Sequence, residues 1–312
     1  MYIGIDLGGT NLKAAIVDDS GGIIHKSMQP THADKGYEYV LDHLMNSIRS
    51  LLNAYKGIES IGVGVPAVVN HDGVLVVAPN LIGWDNVPLR KILKKEFEIP
   101  VAVDNDANAA AVAEFELGAG KDDDSFIYVT LGTGVGGCII YQREIFRGET
   151  GGAGEIGHTI INANDKLISE HPYRTGIVEE YAGRNQITDL GKKIIDQYPD
   201  SLLHDYDRPD PYFITQAIED GDKAARLIFS QVGYYLGIGL STVVNILDIS
   251  TLIFGGGISL SHPVLLDTAL ATMKQRAMPS IAPRIKFKEA RFTKNAGIVG
   301  AAMLGKNSIN NE

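Results

Sequence analysis

The sequence predicts an α/β protein of two domains with mixed sheets flanked by helices, and three observations carry that expectation. The 312 residues, 45% of them hydrophobic, exceed what one core usually serves and supply apolar material for two. Short apolar runs alternate with segments of helical period, as strands and helices do in such folds. A strand, a glycine-rich turn and a returning strand occur twice, near residues 2–17 and 126–141, so the second half opens as the first does. The smaller N-terminal domain is expected over 1–118, completed by a C-terminal helix at about 296–312, and the larger domain over 119–295.

Charge and composition limit the function. A net charge of −10 argues against general affinity for nucleic acid. The 35 glycines cluster at apparent strand ends, where they serve tight turns or let a phosphate approach the backbone. Cys138 is the single cysteine, which excludes an intrachain disulfide and any multi-cysteine zinc site and leads to the expectation of a reducing, cytoplasmic setting. An apolar strand begins almost at once, so no signal peptide is expected. Residues 227–247 carry no charge over a length that would just span a bilayer. Ser230, Gln231, Ser241, Asn245 and three glycines interrupt them, so a buried helix of a soluble domain is expected and no membrane partner.

Taken in order, residues 2–7 read as a buried strand, Gly8-Gly9-Thr10-Asn11 as a turn and Leu12 to Val17 as the returning strand. Adjacent glycines expose N–H groups that can cradle phosphate oxygens, and Asp6 at the strand end can hold Mg²⁺ through water, although such turns also occur in hairpins of every function. Tyr37, Val40, Leu41, Leu44, Ile48, Leu51 and Leu52 recur at helical spacing within 34–55. Residues 61–69 form a strand that runs into a loop at Pro66-Ala67, and 74–78 form another. Its exit loop carries Asn80, able to hydrogen-bond a polyhydroxyl ligand, and Trp84, read as a packing residue. A helix over 89–97 returns the chain to a strand ending near Val103, and a second helix covers 107–115. The glycine- and aspartate-rich run 118–124 is where the chain is expected to cross between domains. Strand 126–131, turn 132–137 and strand 138–141 repeat the opening motif. Helices follow at about 185–198 and 211–247. A strand at 250–254 ends in Gly255-Gly256-Gly257-Ile258-Ser259, where bare backbone can pass under an adenine or ribose. A helix at 264–276, a strand at 285–288 and a helix from 296 close the chain.

Val103 to Ala110, reading VDNDANAA, organise the chemistry. Asn105 and Asp106 fall at a strand-to-helix turn, which in α/β folds faces a cleft. Asp106 is then either a general base, with the Asn105 amide free to hold a substrate hydroxyl, or the N-cap of the helix starting near Ala107. Two glycine-tipped hairpins suited to gripping a nucleotide from both sides favour the base. Gly151 to His158 is a glycine-dense loop with one acid and one imidazole; a lone histidine is more often structural than a ligand.

With these motifs in place the sequence resembles the ROK family of bacterial sugar kinases and sugar-responsive repressors, within the sugar kinase, heat-shock chaperone and actin superfamily. The resemblance runs from DLGGTN at Asp6–Asn11 to NAGIVGAA at Asn295–Ala302. It implies two actin-like (ribonuclease H-like) domains with nucleotide and sugar in the interdomain cleft. ATP and Mg²⁺ are then expected at Asp6, Gly8, Gly9, Thr10, Asn11 and Lys13, at Gly132, Thr133, Gly134 and Gly136, and at Gly255, Gly256 and Gly257. Asp106 matches the family's catalytic base. Asn80, Asn105, Asp106, Glu155, His158 and Glu179 are the expected sugar contacts, the last lying in GIVEEY where the family typically shows G-C-L-E.

Two departures stand out. Family members usually carry a C-x-C-G-x-x-G-C cluster that binds structural zinc with the histidine of the E-x-G-H segment. Here Glu170, Pro172 and Ile177 stand in the cysteine positions, so no structural zinc is expected, and apolar packing around Ile160, Ile168, Ile177 and Val178 is expected to hold the 160–180 segment instead. Ala67 also stands where glycine is common in the G-x-P-G turn. A regulator would add an N-terminal helix-turn-helix, and none is read ahead of Tyr2. The resemblance therefore implies an ATP-dependent kinase acting on the 6-hydroxyl of a hexose, glucose first, with mannose, N-acetylhexosamine, fructose or an amino sugar as alternatives. A non-catalytic sugar sensor and an actin-like or chaperone ATPase are the readings of another class. A homodimer is expected.

Overall fold

The computed structural model describes residues 1–309. The end of the closing helix expected at about 296–312 therefore lies outside the described residues. In chain order the first strands and helices are β1 (Tyr2–Leu7), β2 (Asn11–Val17), β3 (Ile23–Pro30), α1 (Tyr37–Ala54), β4 (Ser60–Val65), β5 (Val68–Val69), β6 (Leu75–Val77), α2 (Leu89–Phe97), β7 (Val101–Asn105) and α3 (Asp106–Leu117). They are followed by β8 (Phe126–Leu131), β9 (Val135–Tyr141), β10 (Glu144–Ile145), α4 (Glu179–Ala182), α5 (Arg184–Ile195), α6 (Pro211–Glu219), α7 (Lys223–Leu247), β11 (Thr251–Gly255), α8 (Pro263–Arg276), β12 (Lys286–Glu289) and α9 (Ala296–Ser308). The chain divides into two compact units. One takes Met1–Asp124, Ile139–Ala153 and the chain from Arg291, and the other takes Ser125–Cys138 and Gly154–Ala290.

The sheet of the first unit has the order β3-β2-β1-β4-β7, with β1 antiparallel to β2 and parallel to β4, and β4 parallel to β7. Every residue of β4 is buried, as the unbroken apolar run requires when both faces of a sheet are covered. One face packs on α1, whose Val40, Leu44, Ile48 and Leu51 enter a cluster with Ile3, Ile5, Leu7 and Trp84. The other face is covered by α3 and α9 through Ala109, Val112, Ile298, Ala301 and Ala302. Here glycines set the spacing. A Cβ on Gly62 would stand 1.6 Å from the Ala301 carbonyl oxygen, and one on Gly300 1.6 Å from that of Ala109. Trp84 is fully buried edge-on to Tyr37, the packing role expected of it. Strand β3 is absent from the sequence reading, because its polar run HKSMQP lies half exposed at the sheet edge and shows no apolar face.

The second sheet reads β10-β9-β8-β11-β12, with β8, β11 and β12 parallel. The stretch 211–247 holds two helices parted at Gly221, where φ is 89°, and Asp222 caps α7 by accepting from the Ala225 N–H at 3.0 Å. Helix α7 is long and apolar enough to cross a bilayer. Its Gly233 and Gly237 instead pack on α8, where an added Cβ would lie 2.3 Å from Leu265 O and 2.7 Å from Ala269 O.

Candidate active site

Because β1, β4 and β7 run parallel, their carboxyl ends share one edge, the edge at which α/β sheets present loops to ligands. Asn105 ends β7 and is the N-cap of α3: its Oδ1 accepts from the N–H of Ala107 at 2.8 Å and of Asn108 at 3.2 Å. Its Nδ2 donates to the Ala67 carbonyl oxygen at 3.2 Å. The amide that the sequence left free for a substrate is thus largely committed, with one Nδ2 proton remaining. The capping role weighed for Asp106 belongs to its neighbour. Asp106 is the first residue of α3, exposed, with Oδ1 accepting from the Ala107 N–H at 2.8 Å.

Sequence reasoning missed what holds this turn. Asp104, 3% exposed, accepts from the Asn105 N–H and from Asn108 Nδ2, both at 2.8 Å, and its other oxygen pairs with Arg147. Asp104 stands inside the VDNDANAA signal, but its partner 43 residues on leaves no local pattern. At the end of β1 the Asp6 carboxylate pairs with Lys13 Nζ at 2.7 Å, a cross-strand pair set by the hairpin register. The Gly8 N–H donates to Asn11 O at 2.9 Å, while buried Thr31 donates through Oγ1 to Gly8 O at 2.6 Å and through N–H to Thr10 O at 2.9 Å. Asn80 is exposed beside this turn, since a Cβ on Gly9 would lie 3.2 Å from its carbonyl oxygen.

In the second unit the turn Gly132-Thr133-Gly134 follows β8, and Gly255-Gly256-Gly257 closes β11 and continues past it. These glycines divide by cause. A Cβ on Gly255 would meet the Tyr128 hydroxyl at 2.2 Å, and one on Gly256, where φ is 84°, would meet Leu131 O at 2.4 Å, so packing and backbone explain both. Gly132 and Gly257 face open space, where a Cβ finds no protein atom within 4 Å, so neither is glycine because of a neighbour in the chain. A Cβ on Gly134 would fall 2.1 Å from Glu179 Oε2, the oxygen that accepts from the Val135 N–H at 2.9 Å.

Glu155 precedes a 3₁₀ turn over Ile156–His158 and is exposed as a residue, yet nearby protein strips water from its carboxyl. That loss of hydration pushes its pKa up; His158 opposes the shift and the Glu179 charge adds to it. The His158 ring lies nearly parallel to Tyr173 at 6.1 Å, so aromatic stacking helps to orient it. Two carboxylates and an imidazole in one neighbourhood offer acceptors suited to the paired hydroxyls of a sugar.

The 160–180 segment is held differently from the expectation. Ile177 and Val178 are fully buried, but Ile160 is 66% exposed and Ile168 half-buried. The Ile160 backbone pairs with Ile177, which turns its side chain outward. Polar bonds complete the support: Asn162 Nδ2 donates to the Tyr181 hydroxyl at 2.9 Å, both side chains bind Asp165, and Thr175 Oγ1 accepts from the Ile168 N–H at 2.9 Å. Arg174 pairs with Glu179 at 2.8 Å and Glu180 at 2.6 Å. Glu170 and Pro172 are exposed and Ile177 is apolar, a set that does not fit a tetrahedral nitrogen and sulfur site. Among the described residues no three His, Cys, Asp or Glu side chains gather to hold a metal ion.

The model of the ROK family matches residues 2–308. A glucokinase of Halalkalibacterium halodurans is 31% identical over 318 residues, covering 99% of this chain and 96% of the relative. A xylose repressor of Caldicellulosiruptor bescii is 30% identical over 306 residues, covering 96% of this chain and 76% of the repressor. The solved structure of a ROK family glucokinase from Streptomyces griseus, in complex with glucose and AMPPNP, matches with a TM-score of 0.83 at 30% identity, over 98% of this chain and 99% of that one. The mixed α/β architecture is the actin-like fold of such sugar kinases. With a family model spanning nearly all of it and relatives at this identity over their greater part, the chain belongs to the ROK family.

Proposed function

We propose that this chain is an ATP-dependent kinase that transfers the γ-phosphoryl group to the 6-hydroxyl of a hexose, with glucose as the preferred acceptor. The observation that carries the reading is Asp106, an exposed carboxylate on the first turn of α3, fixed by the Asn105 cap and the Asp104–Arg147 pair beneath it. A carboxylate so placed suits a base that accepts the hydroxyl proton as the oxygen attacks phosphorus. Asn80, the remaining Nδ2 proton of Asn105, Glu155, His158 and Glu179 hold and orient the sugar hydroxyls. Gly8, Gly9, Thr10 and Asn11, with Gly132, Thr133, Gly134 and Gly136, present backbone N–H groups to phosphate, and Gly255, Gly256 and Gly257 pass the adenosine. The Asp6 oxygens, with Lys13 bound to one of them, fit the Mg²⁺ that arrives with ATP; when bound, the ion neutralises phosphate charge.

The relatives named glucokinase support this reading. A second one, a sugar sensor without catalysis, is favoured by the repressor relative, of which this chain covers 76%. A coupled assay with ATP and Mg²⁺ across glucose, mannose, N-acetylglucosamine, fructose and xylose tests both. Turnover highest on glucose is the expected result. Sugar binding without turnover of any of them would replace the kinase with the sensor. Homodimeric assembly and a cytoplasmic location belong to the same proposal, the first checked by light scattering.

A further inference from the structure

The turn Pro172–Arg174 delivers two side chains to two of the proposed sugar contacts. Tyr173 stacks on His158, and Arg174 spans Glu179 and Glu180. The geometry around Arg174 is that of a clamp. Its Nη2 donates to Glu179 Oε1 at 2.8 Å and its Nε to Glu180 Oε1 at 2.8 Å, while Glu179 Oε2 is held from the other side by the Val135 N–H. Each oxygen of Glu179 therefore has a fixed donor, one from the backbone and one from Arg174.

The electrostatics require such a donor. Glu179 and Glu180 are adjacent at the start of the four-residue helix α4, and the Glu179 charge is felt at Glu155. Three acidic groups in one neighbourhood repel, and a carboxylate so placed swings toward water unless a cation holds it. A guanidinium presents a planar fork that can serve two carboxylates at once, which an ammonium cannot do with the same geometry. The loop carrying the fork is itself fixed. Gly176 has φ 71°, and a Cβ there would lie 2.0 Å from Asn162 O, so the chain doubles back tightly just after Arg174. Thr175 ties the same loop to the Ile168 N–H.

We propose that Arg174 is the positioning residue of the sugar site: it fixes Glu179 in the orientation that receives sugar hydroxyls, and its clamp with Glu180 gives the 160–180 segment its rigidity through the chain's own side chains. The proposal rests on the reading of Glu179 as a sugar contact. In this role Arg174 acts through Glu179, to which its Nη2 donates.

The test compares Arg174→Met, Arg174→Lys and Glu179→Gln by isothermal titration with glucose in the absence of nucleotide, by steady-state kinetics with ATP and Mg²⁺, and by thermal unfolding. Arg174→Met is expected to weaken glucose binding about tenfold and raise the glucose KM alike, with the ATP KM and kcat at saturating glucose within about threefold. Arg174→Lys keeps the charge without the fork and is expected to recover part of the loss. Unchanged glucose affinity in Arg174→Met, beside a clear loss in Glu179→Gln, overturns the positioning role alone. Unchanged affinity in Glu179→Gln overturns the reading beneath it. An equal weakening of glucose and ATP, with a lowered melting temperature, makes Arg174 a general stabiliser and also overturns the proposal. If Arg174→Met yields no soluble protein, Arg174→Lys decides: wild-type glucose affinity counts against the fork, and a several-fold loss at unchanged ATP KM supports it. Elemental analysis finding about one zinc per wild-type chain would assign the rigidity to metal and overturn the second half of the proposal.

Discussion

At Asp106 the difference between a base and a structural carboxylate is one hydrogen-bond network. Asn105 takes the cap, which leaves Asp106 exposed on the first turn of α3. Asp106→Asn is therefore expected to lower kcat by roughly two to four orders of magnitude while sugar and ATP affinities stay within about tenfold, because a base acts chiefly in the transition state. Near-wild-type turnover in steady-state kinetics would reduce Asp106 to a helix residue. Glu155 gives a pH signature. Its raised pKa means that the folded chain holds the proton more tightly than the unfolded chain, so its contribution to stability is present at low pH and fades as pH rises through the raised value. Sugar binding runs the other way, since only the ionised carboxylate accepts two hydroxyl bonds. Glucose affinity is expected to fall on acidification already above the ordinary glutamate range of about 4.3, and Glu155→Gln is expected to flatten that limb. A wild-type profile flat down to that range in titrations would disconnect Glu155 from the sugar.

At the scale of elements, glycines decide how closely the helices of the first unit approach its sheet. The sequence places a closing helix at α9, but it does not say that α9 lies backbone to backbone on β4 and α3. Gly62 and Gly300 make that contact, each with no room for a Cβ because the obstacle is a carbonyl oxygen of a neighbouring element. Backbone cannot swing aside as a side chain can, so Gly300→Ala is expected to cost about 1–3 kcal/mol or more through overpacking. Thermal or urea unfolding measures this, and an unchanged midpoint would mean that α9 shifts freely on α3.

At the scale of the whole molecule, Glu114 joins distant parts of one unit. Fully buried at the end of α3, it accepts from the N–H groups of Ala119 at 2.8 Å, Arg291 at 2.9 Å and Phe292 at 2.7 Å. These residues stand where the chain leaves the first unit and where it comes back to it. Only a carboxylate accepts on both oxygens, so Glu114→Gln sets an amide NH₂ against a backbone donor. The expected cost is about 1–3 kcal/mol in urea unfolding, the penalty of buried polar groups left unpaired. Equal stability would show that the connection does not depend on this carboxylate.

Features written in local pattern were legible along the chain. The strands β1, β4, β8 and β11 are apolar runs, α1 follows helical period, and the glycine turns and VDNDANAA are contiguous words whose chemistry needs no distant partner to be recognised. The family followed from the order of those words. Folding was needed to reveal which of Asn105 and Asp106 caps α3, that Arg147 secures Asp104, that β3 completes a sheet edge, and that Arg174 and Tyr173 brace the proposed sugar contacts. The physical reason is common to all four. A hydrogen bond, an ion pair or a strand pairing is a relation between groups that the fold brings together, and neither a half-exposed polar strand nor a single arginine carries a local trace of the partner that gives it its role.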